Sequence, residues 1–493
     1  IDSDQIPNYL CIHARAGAGK SALLGNFLKN TNDTKIIAHY MGMGGDSNKI
    51  KGVMKHIGQQ LARFGLLDEK LAVNPAQASI QIQNAFEGIK KKLAIIIDGI
   101  DEIEKAGQKL SWLPRSLPSN IRIILSTRPV EIMHILKEYP HVEFFELPPL
   151  NEEEIENIIK NYNSDSDLGL TVNDFDVLKK RALGNPLFLK VALDEISTSG
   201  MAVGQLAMTV DALFEQIIKR LQKKYSKNLI NRYLGLIASG RNGILEKELA
   251  EILDINEKDL IAVTFALQNF ILTRRGFLNF FHPEFERVIK MRMGKSDMRN
   301  YHRLISQYLL DKGIDYIRTL DELPYQLQWG EMYKSLLAIL GNIHFIEKKC
   351  ANNMVIELLH DYQEVTENNT VKVPEDETAE LKPNVVITKN IIRILKKSLE
   401  SELQFILTHP TCIFQLLWNI CYWYDNPQIE QYCTESDNSM PWNKSGNKVF
   451  RVVQYWKNSK EDAIWLKSLR PLPYKLESPI EKKIETIAKE VYG

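Results

Sequence analysis

Two hydrophobic patterns divide the chain, and the change between them falls near Leu150. Before it, short continuous apolar runs recur: "YLCIH" (9–13), "KIIAHYMGM" (35–43), "LAIIIDGIDEI" (93–103), "NIRIILSTRP" (120–129) and "VEFFELPPL" (142–150). Between them, 50–65 and 76–92 have helical spacing, and "SALLGNFLKN" puts Leu23, Leu24, Phe27 and Leu28 on one helical face. Strands that alternate with helices and are apolar on both faces predict a parallel sheet covered on both sides. The acids of the third run and Arg128 of the fourth fall at C-terminal strand ends, where open α/β sheets bind ligands.

After Leu150 the pattern becomes helical. "NEEEIENIIKNY" opens on an N-cap followed by acids in the first turn. The exception is 236–285, which reads helix, turn, helix and then "FILTRRGFLNFFH" as a two-stranded ribbon with a glycine turn. That order is a winged-helix unit. The polar stretch 366–384 reads as a loop. The expected architecture is an α/β domain with a parallel sheet (1–149), a first helical domain (150–208), a winged-helix domain (209–296) and an all-α arm (297–493).

Bulk properties narrow the class. At 493 residues the chain exceeds one core, and roughly 100–200 residues per domain predicts several units. Lys+Arg and Asp+Glu both number 62, so the net charge is zero, which argues against a chain built as a whole to coat nucleic acid or an anionic membrane. There is no apolar run of about 18 residues, the length that would span a bilayer. Cys11, Cys350, Cys412, Cys421 and Cys433 have no C-x-x-C spacing and fit buried free thiols in a reducing, cytoplasmic setting. The chain starts at Ile1 and shows no signal peptide.

The chemistry concentrates in "CIHARAGAGKSALL" (11–24). This resembles G-x-x-x-x-G-K-[ST], with Ala14 where the pattern has its first glycine. Gly17 and Gly19 let the backbone aim its N–H groups at phosphate oxygens, so Ala16, Gly17, Ala18, Gly19, Lys20, Ser21 and Ala22 form the candidate nucleotide cradle. Lys20 would reach the β- and γ-phosphates and the Ser21 hydroxyl would ligate Mg²⁺. Asp98, at the end of "IIID", would hold Mg²⁺ through water. Asp101 or Glu102 would orient or deprotonate the attacking water. Arg128 in "LSTRP" would sense the γ-phosphate, although a plain surface arginine is the competing reading. Pro186 in "ALGNPLFL" either packs near the base or only starts a helix. His282 in "FFHPEF" reads by itself as a satisfied histidine or a helix cap.

Taken together, "ARAGAGKS", "IIIDGIDE", "ILSTRP", "GNP" and "FFHPEFERVI" resemble the NACHT branch of the STAND signal-transducing P-loop NTPases over residues 1 to about 295. The D-G-x-D-E form is the specific element. Beyond it, "ELPYQL", "HPTCIFQLLWNICYWYDNP" and "WLKSLRPLP" look like segments that often precede a WD-repeat sensor. The resemblance implies ATP and ADP as ligands with Mg²⁺, Glu102 as the preferred base, and Pro186 against the base. It also implies His282 on the β-phosphate of ADP, although the full Met-His-Asp form is absent. The implied mechanism is a switch: an ADP-bound closed form, and an ATP-bound open form that oligomerises with other copies of itself and activates an effector. The sensor and effector are expected outside this chain, and the setting is innate immunity, antiviral defence or cell-death signalling. Three rivals are a conventional remodelling ATPase, a nucleic-acid-binding regulator and a scaffold whose site has decayed, the last opposed by the set Lys20, Ser21, Asp98 and Glu102. The second is disfavoured because "EKDLIAVTFALQNF" (257–270) has few basic residues for base or phosphate readout. The aromatic "LLWNICYWYDNP" reads as core rather than as a ligand cage.

Overall fold

The computed structural model describes residues 7–31, 35–42, 47–67, 75–103, 107, 109–129, 131–274, 276–368, 371–432, 440–460, 464–471 and 476. They fall into two compact units. The first comprises most of the chain to Arg292, and the second comprises Ser239–Arg241, Glu251–Asp254 and the chain from Met293.

The first unit is organised by five strands, β1 (Tyr9–His13), β2 (Lys35–Tyr40), β3 (Leu93–Asp98), β4 (Ile121–Thr127) and β5 (Val142–Glu146). All pair in parallel, in the order β2-β3-β4-β1-β5. The three apolar runs with the most chemistry at their ends, β3, β4 and β1, are therefore neighbours. His13 pairs with Thr127 and Ile97 with Leu125, so their C-terminal ends open side by side. Every residue of β3 is buried, as expected of a strand covered on both faces. On one face α2 (Ile50–Arg63) and α3 (Pro75–Gly88) contribute Val53, Ile57, Leu61, Ile82 and Phe86 to the larger core. On the other, α1 (Lys20–Asn30) packs through Leu24 and Leu28 against Ile12 and Ile96. The four-residue apolar face expected for α1 is only half used, since Leu23 and Phe27 are 39% and 41% exposed. The two pairs lie on adjacent stripes of the helix, and the sheet accommodates one of them.

Between β4 and β5 lies the short α4 (Ile132–Leu136). The helices α5 (Glu152–Ser166), α6 (Val172–Ala182) and α7 (Pro186–Ser199) follow. Asn151 closes a capping box with Glu154 at the start of α5, as the sequence predicts. Next come α8 (Val210–Tyr225), α9 (Lys227–Ser239), β6 (Ile244–Leu245), α10 (Glu246–Leu253), α11 (Glu257–Ala266), β7 (Ile271–Arg274) and β8 (Phe277–Phe280). The predicted ribbon forms, with Gly276 at φ 83° in its turn, and gains β6 as a third strand. A long helix, α12 (Pro283–Lys312), follows and breaks helical geometry at Gly294, φ 69°.

The second unit contains the rest of α12, then α13 (Ile317–Trp329), α14 (Tyr333–Leu340), α15 (Ile343–Ala351), α16 (Val355–Glu367), α17 (Lys389–Ser401), α18 (Leu403–Thr408), α19 (Ile413–Tyr424) and α20 (Val449–Asn458). It is mostly helical but not all-α. The end of the stretch read as a loop forms β9 (Thr378–Lys382), which pairs antiparallel with β10 (Val385–Thr388) just beyond it, with Asn384 at φ 67° in the turn. Alternation there is short and interrupted by charges, so periodicity alone misses it. The aromatic face of α19 is core: Trp418 is fully buried and stacks on Tyr422 at 4.3 Å. Cys11, Cys350 and Cys421 are buried free thiols and Cys412 is a partly exposed one, while Cys433 lies outside the described residues. Among the described residues no helix is long and apolar enough to cross a membrane.

Candidate nucleotide site

The loop after β1 takes its shape from two glycines. Gly17 and Gly19 have φ of 73° and 97°, values that any side chain would make costly. Ala14 is buried, has no left-handed backbone and donates its N–H to the Thr127 carbonyl at 3.3 Å. Alanine at this position therefore costs the loop nothing that glycine would supply. Lys20 opens α1 with Ala22 and the exposed Ser21 behind it. Its Nζ donates to the Ala14 and Arg15 carbonyls at 2.8 and 3.2 Å, so it lies over the loop. Burial lowers the Lys20 pKa, and the Asp101 and Asp98 charges oppose that shift.

The GNP motif closes over the loop. Asn185 caps α7 by accepting from the Leu187 and Phe188 N–H groups at 2.9 and 3.2 Å. Leu187 N donates to the Gly17 carbonyl at 3.2 Å. A Cβ on Gly17 would stand 2.8 Å from the Leu187 Cβ, and one on Gly19 would stand 3.6 Å from the Pro186 ring. Pro186 thus lies against the turn at Gly19. Asn185 and Leu187 were not singled out in the sequence; the G-N-P string is the signal that contains the first of them.

Across the strand ends the acids have separate surroundings. Asp98 is buried and accepts from the Ser126 hydroxyl, which itself accepts from Gly99 N at 2.8 Å. Ser126 is a positioning residue that the sequence did not reveal. Asp101 binds Arg128 twice, to Nε at 2.5 Å and to the backbone N at 3.1 Å. The Asp101 side chain is only 4% exposed, whereas that of Arg128 is 45% exposed. Burial works against the Arg128 charge, but the bond to Asp101 and the neighbouring carboxylates raise its pKa. Among the described residues Glu102 has no such partner. Burial first, and Asp101 second, push its carboxyl up to about 7. Gly42, at φ 73°, leaves room beside it, since a Cβ there would stand 3.0 Å from Glu102 Oε2.

His282 contacts Phe281 edge to face at 4.6 Å, and its charged neighbours are Asp194 and Lys190 of α7. Burial drives its pKa down to about 4, so the ring is neutral at pH 7. Two residues on, Glu284 is half-buried, and its charge is among the smaller influences on Lys20, Glu102 and Arg128.

Among the described residues no three His, Cys, Asp or Glu side chains form a metal cage. Magnesium held mainly by phosphate oxygens and water needs one or two protein ligands, and the Ser21 hydroxyl and Asp98 carboxylate have the hard oxygen chemistry for it.

The NACHT domain family matches residues 8–166. Among curated proteins, a TPR repeat-containing protein of Dictyostelium discoideum is 22% identical, covering 73% of this chain and 25% of its own length. Human nephrocystin-3 is 22% identical over 74% of this chain and 30% of its length. Human NACHT and WD repeat domain-containing protein 2 is 26% identical over 50% of this chain and 16% of its length. The chain thus spans less than a third of these relatives. A solved STAND protein with a tetratricopeptide repeat sensor from Pyrococcus horikoshii aligns with 84% of this chain and 61% of its own, at 15% identity and TM-score 0.44. The phosphate loop and the strand-end acids lie within the stretch, residues 8–166, that matches the NACHT domain family.

Proposed function

We propose that the chain is a nucleotide-dependent signalling switch, closed with ADP and open with ATP, whose slow hydrolysis resets it. The observation that carries this reading is the convergence of Lys20, Asp98, Glu102 and the Asp101–Arg128 pair at adjacent strand ends. We read β6, α10, α11 and the β7–β8 ribbon as a winged helix that closes the module.

Loop amides and Lys20 hold the phosphates, and Mg²⁺, held by Ser21 and Asp98, would neutralise their charge. Arg128, aligned by Asp101, contacts the terminal phosphate. Glu102 takes a proton from the attacking water, since its raised pKa makes it a better base than an ordinary carboxylate at neutral pH. Asp101 is a weaker candidate for that role because both its oxygens are occupied by Arg128. A ligand shifts a two-state equilibrium only through different affinity for the two states, so the switch needs groups that contact nucleotide in one state alone.

In the open state the chain assembles with copies of itself and engages an effector, in defence or cell-death signalling, on a trigger read by a sensor such as WD repeats. Duplex readout is disfavoured, because α11 exposes Ile261 and Phe265, 54% and 68% accessible, and only one basic side chain, Lys258. The test is nucleotide content and turnover. Purified protein should retain or bind ADP and turn ATP over slowly, and Lys20→Ala should lose binding by at least about 100-fold, a scale set by loss of charge-assisted phosphate contacts. Untriggered turnover of several cycles per second, or no binding at all, would rule the switch out.

A further inference from the structure

We infer that one face of α19 is a recognition site for an extended peptide, and that its ligand is the chain's own segment 464–470, seated there as a detachable strap. The site lies within the second unit.

The segment has no regular secondary structure, yet α19 side chains bond both backbone groups of Leu466 and of Ser468. Gln415 accepts from the Leu466 N–H at 2.7 Å. Asn419 grips the chain twice, donating to the Leu466 carbonyl at 2.9 Å and accepting from the Ser468 N–H at 2.7 Å. The Trp423 indole donates to the Ser468 carbonyl at 3.3 Å. Gln415, Asn419 and Trp423 are each separated by one helical turn and share a face of α19. Four helical residues advance about 6 Å and two extended residues about 6.6 Å, so this row of side chains stays in register with alternate residues of a peptide.

The side chains of the segment alternate, as those of an extended chain do. Trp465 packs edge-on against Phe414 at 5.1 Å and lies 4.9 Å from the Trp418 ring. Lys467 sits over the Trp418 and Tyr422 rings at 5.2 and 5.7 Å, a cation–π arrangement. Ile464 and Leu466 are left outside, 104% and 77% exposed. A segment folded for burial would turn those two inward. Here the backbone supplies the hydrogen bonds, and an aromatic and a basic side chain two residues apart supply the specificity, the division found in peptide recognition. The seat is not saturated, since Trp418 Nε1 is buried without an acceptor among the described residues.

The probe is a fluorescein-labelled synthetic peptide of residues 464–470, IWLKSLR, titrated by anisotropy against the full chain. The Trp465→Ala chain, whose strap has lost its anchor, should bind it saturably. The unsubstituted chain should bind it about tenfold more weakly, because its own segment competes at the roughly millimolar effective concentration of a short tether. Asn419→Ala added to Trp465→Ala should weaken the peptide by about tenfold, the scale of two lost hydrogen bonds. As a single substitution, Asn419→Ala should speed trypsin cleavage after Lys467 relative to other sites, since it loosens the strap. Urea transitions show which variants are folded, and the cleavage rates decide alone if Trp465→Ala is not. Absence of saturable binding to the folded Trp465→Ala chain, equal binding to both chains, or binding and cleavage indifferent to Asn419→Ala overturns the assignment.

Discussion

Glu102 and Asp101 are adjacent in the chain, yet the structure gives them opposite work. Asp101 is neutralised by Arg128, while Glu102 is buried beside that carboxylate and titrates near 7. A base acts only when deprotonated, so hydrolysis should climb about tenfold per pH unit below that value and level off above it. Glu102→Gln should abolish the rise, lower turnover by about 100-fold and leave ADP affinity nearly unchanged, because the residue acts on water rather than on the resting nucleotide. A pH–rate profile together with a binding isotherm checks both parts. A variant that loses binding and turnover equally would show that Glu102 shapes the pocket instead.

At the scale of elements, the phosphate loop is supported by α7 as much as by its own glycines. Asn185 satisfies two orphan N–H groups of α7 and thereby fixes Leu187 and Pro186 against Gly17 and Gly19. Asn185→Ala should cost about 1 kcal/mol, a typical cap contribution. Because the cap also seats the loop, the same change should weaken ADP binding several-fold, which a surface cap would not do. Urea unfolding and nucleotide titration of one variant separate the two effects. The strands and amphipathic helices at this scale were legible from periodicity, since β3 is apolar throughout and buried throughout. The β9–β10 hairpin and two-residue β6 were not, because strands that short carry too few positions to show a period.

For the whole molecule, the described residues form two compact units, and the second is built around buried charge as well as apolar packing. Lys349 is fully buried and bonded to the Asp361 carboxylate. Nearby, Glu322 is fully buried among Arg318 at 3.2 Å, Arg241 N at 2.7 Å and Gln326 at 2.6 Å. Lys349→Met should destabilise this unit by roughly 3–5 kcal/mol, since it strands a buried carboxylate. Lys349→Met with Asp361→Leu should recover much of that loss, because an apolar pair of similar volume carries no desolvation penalty. Denaturant unfolding of the single and double variants decides it, and equal losses in both would refute the pairing argument. No sequence pattern announced this network, as lysine at 349 and aspartate at 361 look like solvated positions on two separate helices.

What the sequence determined by itself is the local chemistry and its carriers. The glycine spacing of the loop, the acids ending β3 and the arginine ending β4 follow from residue order, because they lie within or beside single apolar runs. What only the tertiary structure decided is which of these groups meet. Strand order placed β3 and β4 beside β1, pairing Asp101 with Arg128 and leaving Glu102 unpaired among the described residues. Packing of α7 brought the Leu187 N–H onto the Gly17 carbonyl from a distant part of the chain. Electrostatics depends on distance and burial through space, and neither quantity is written in the separation of residues along a chain.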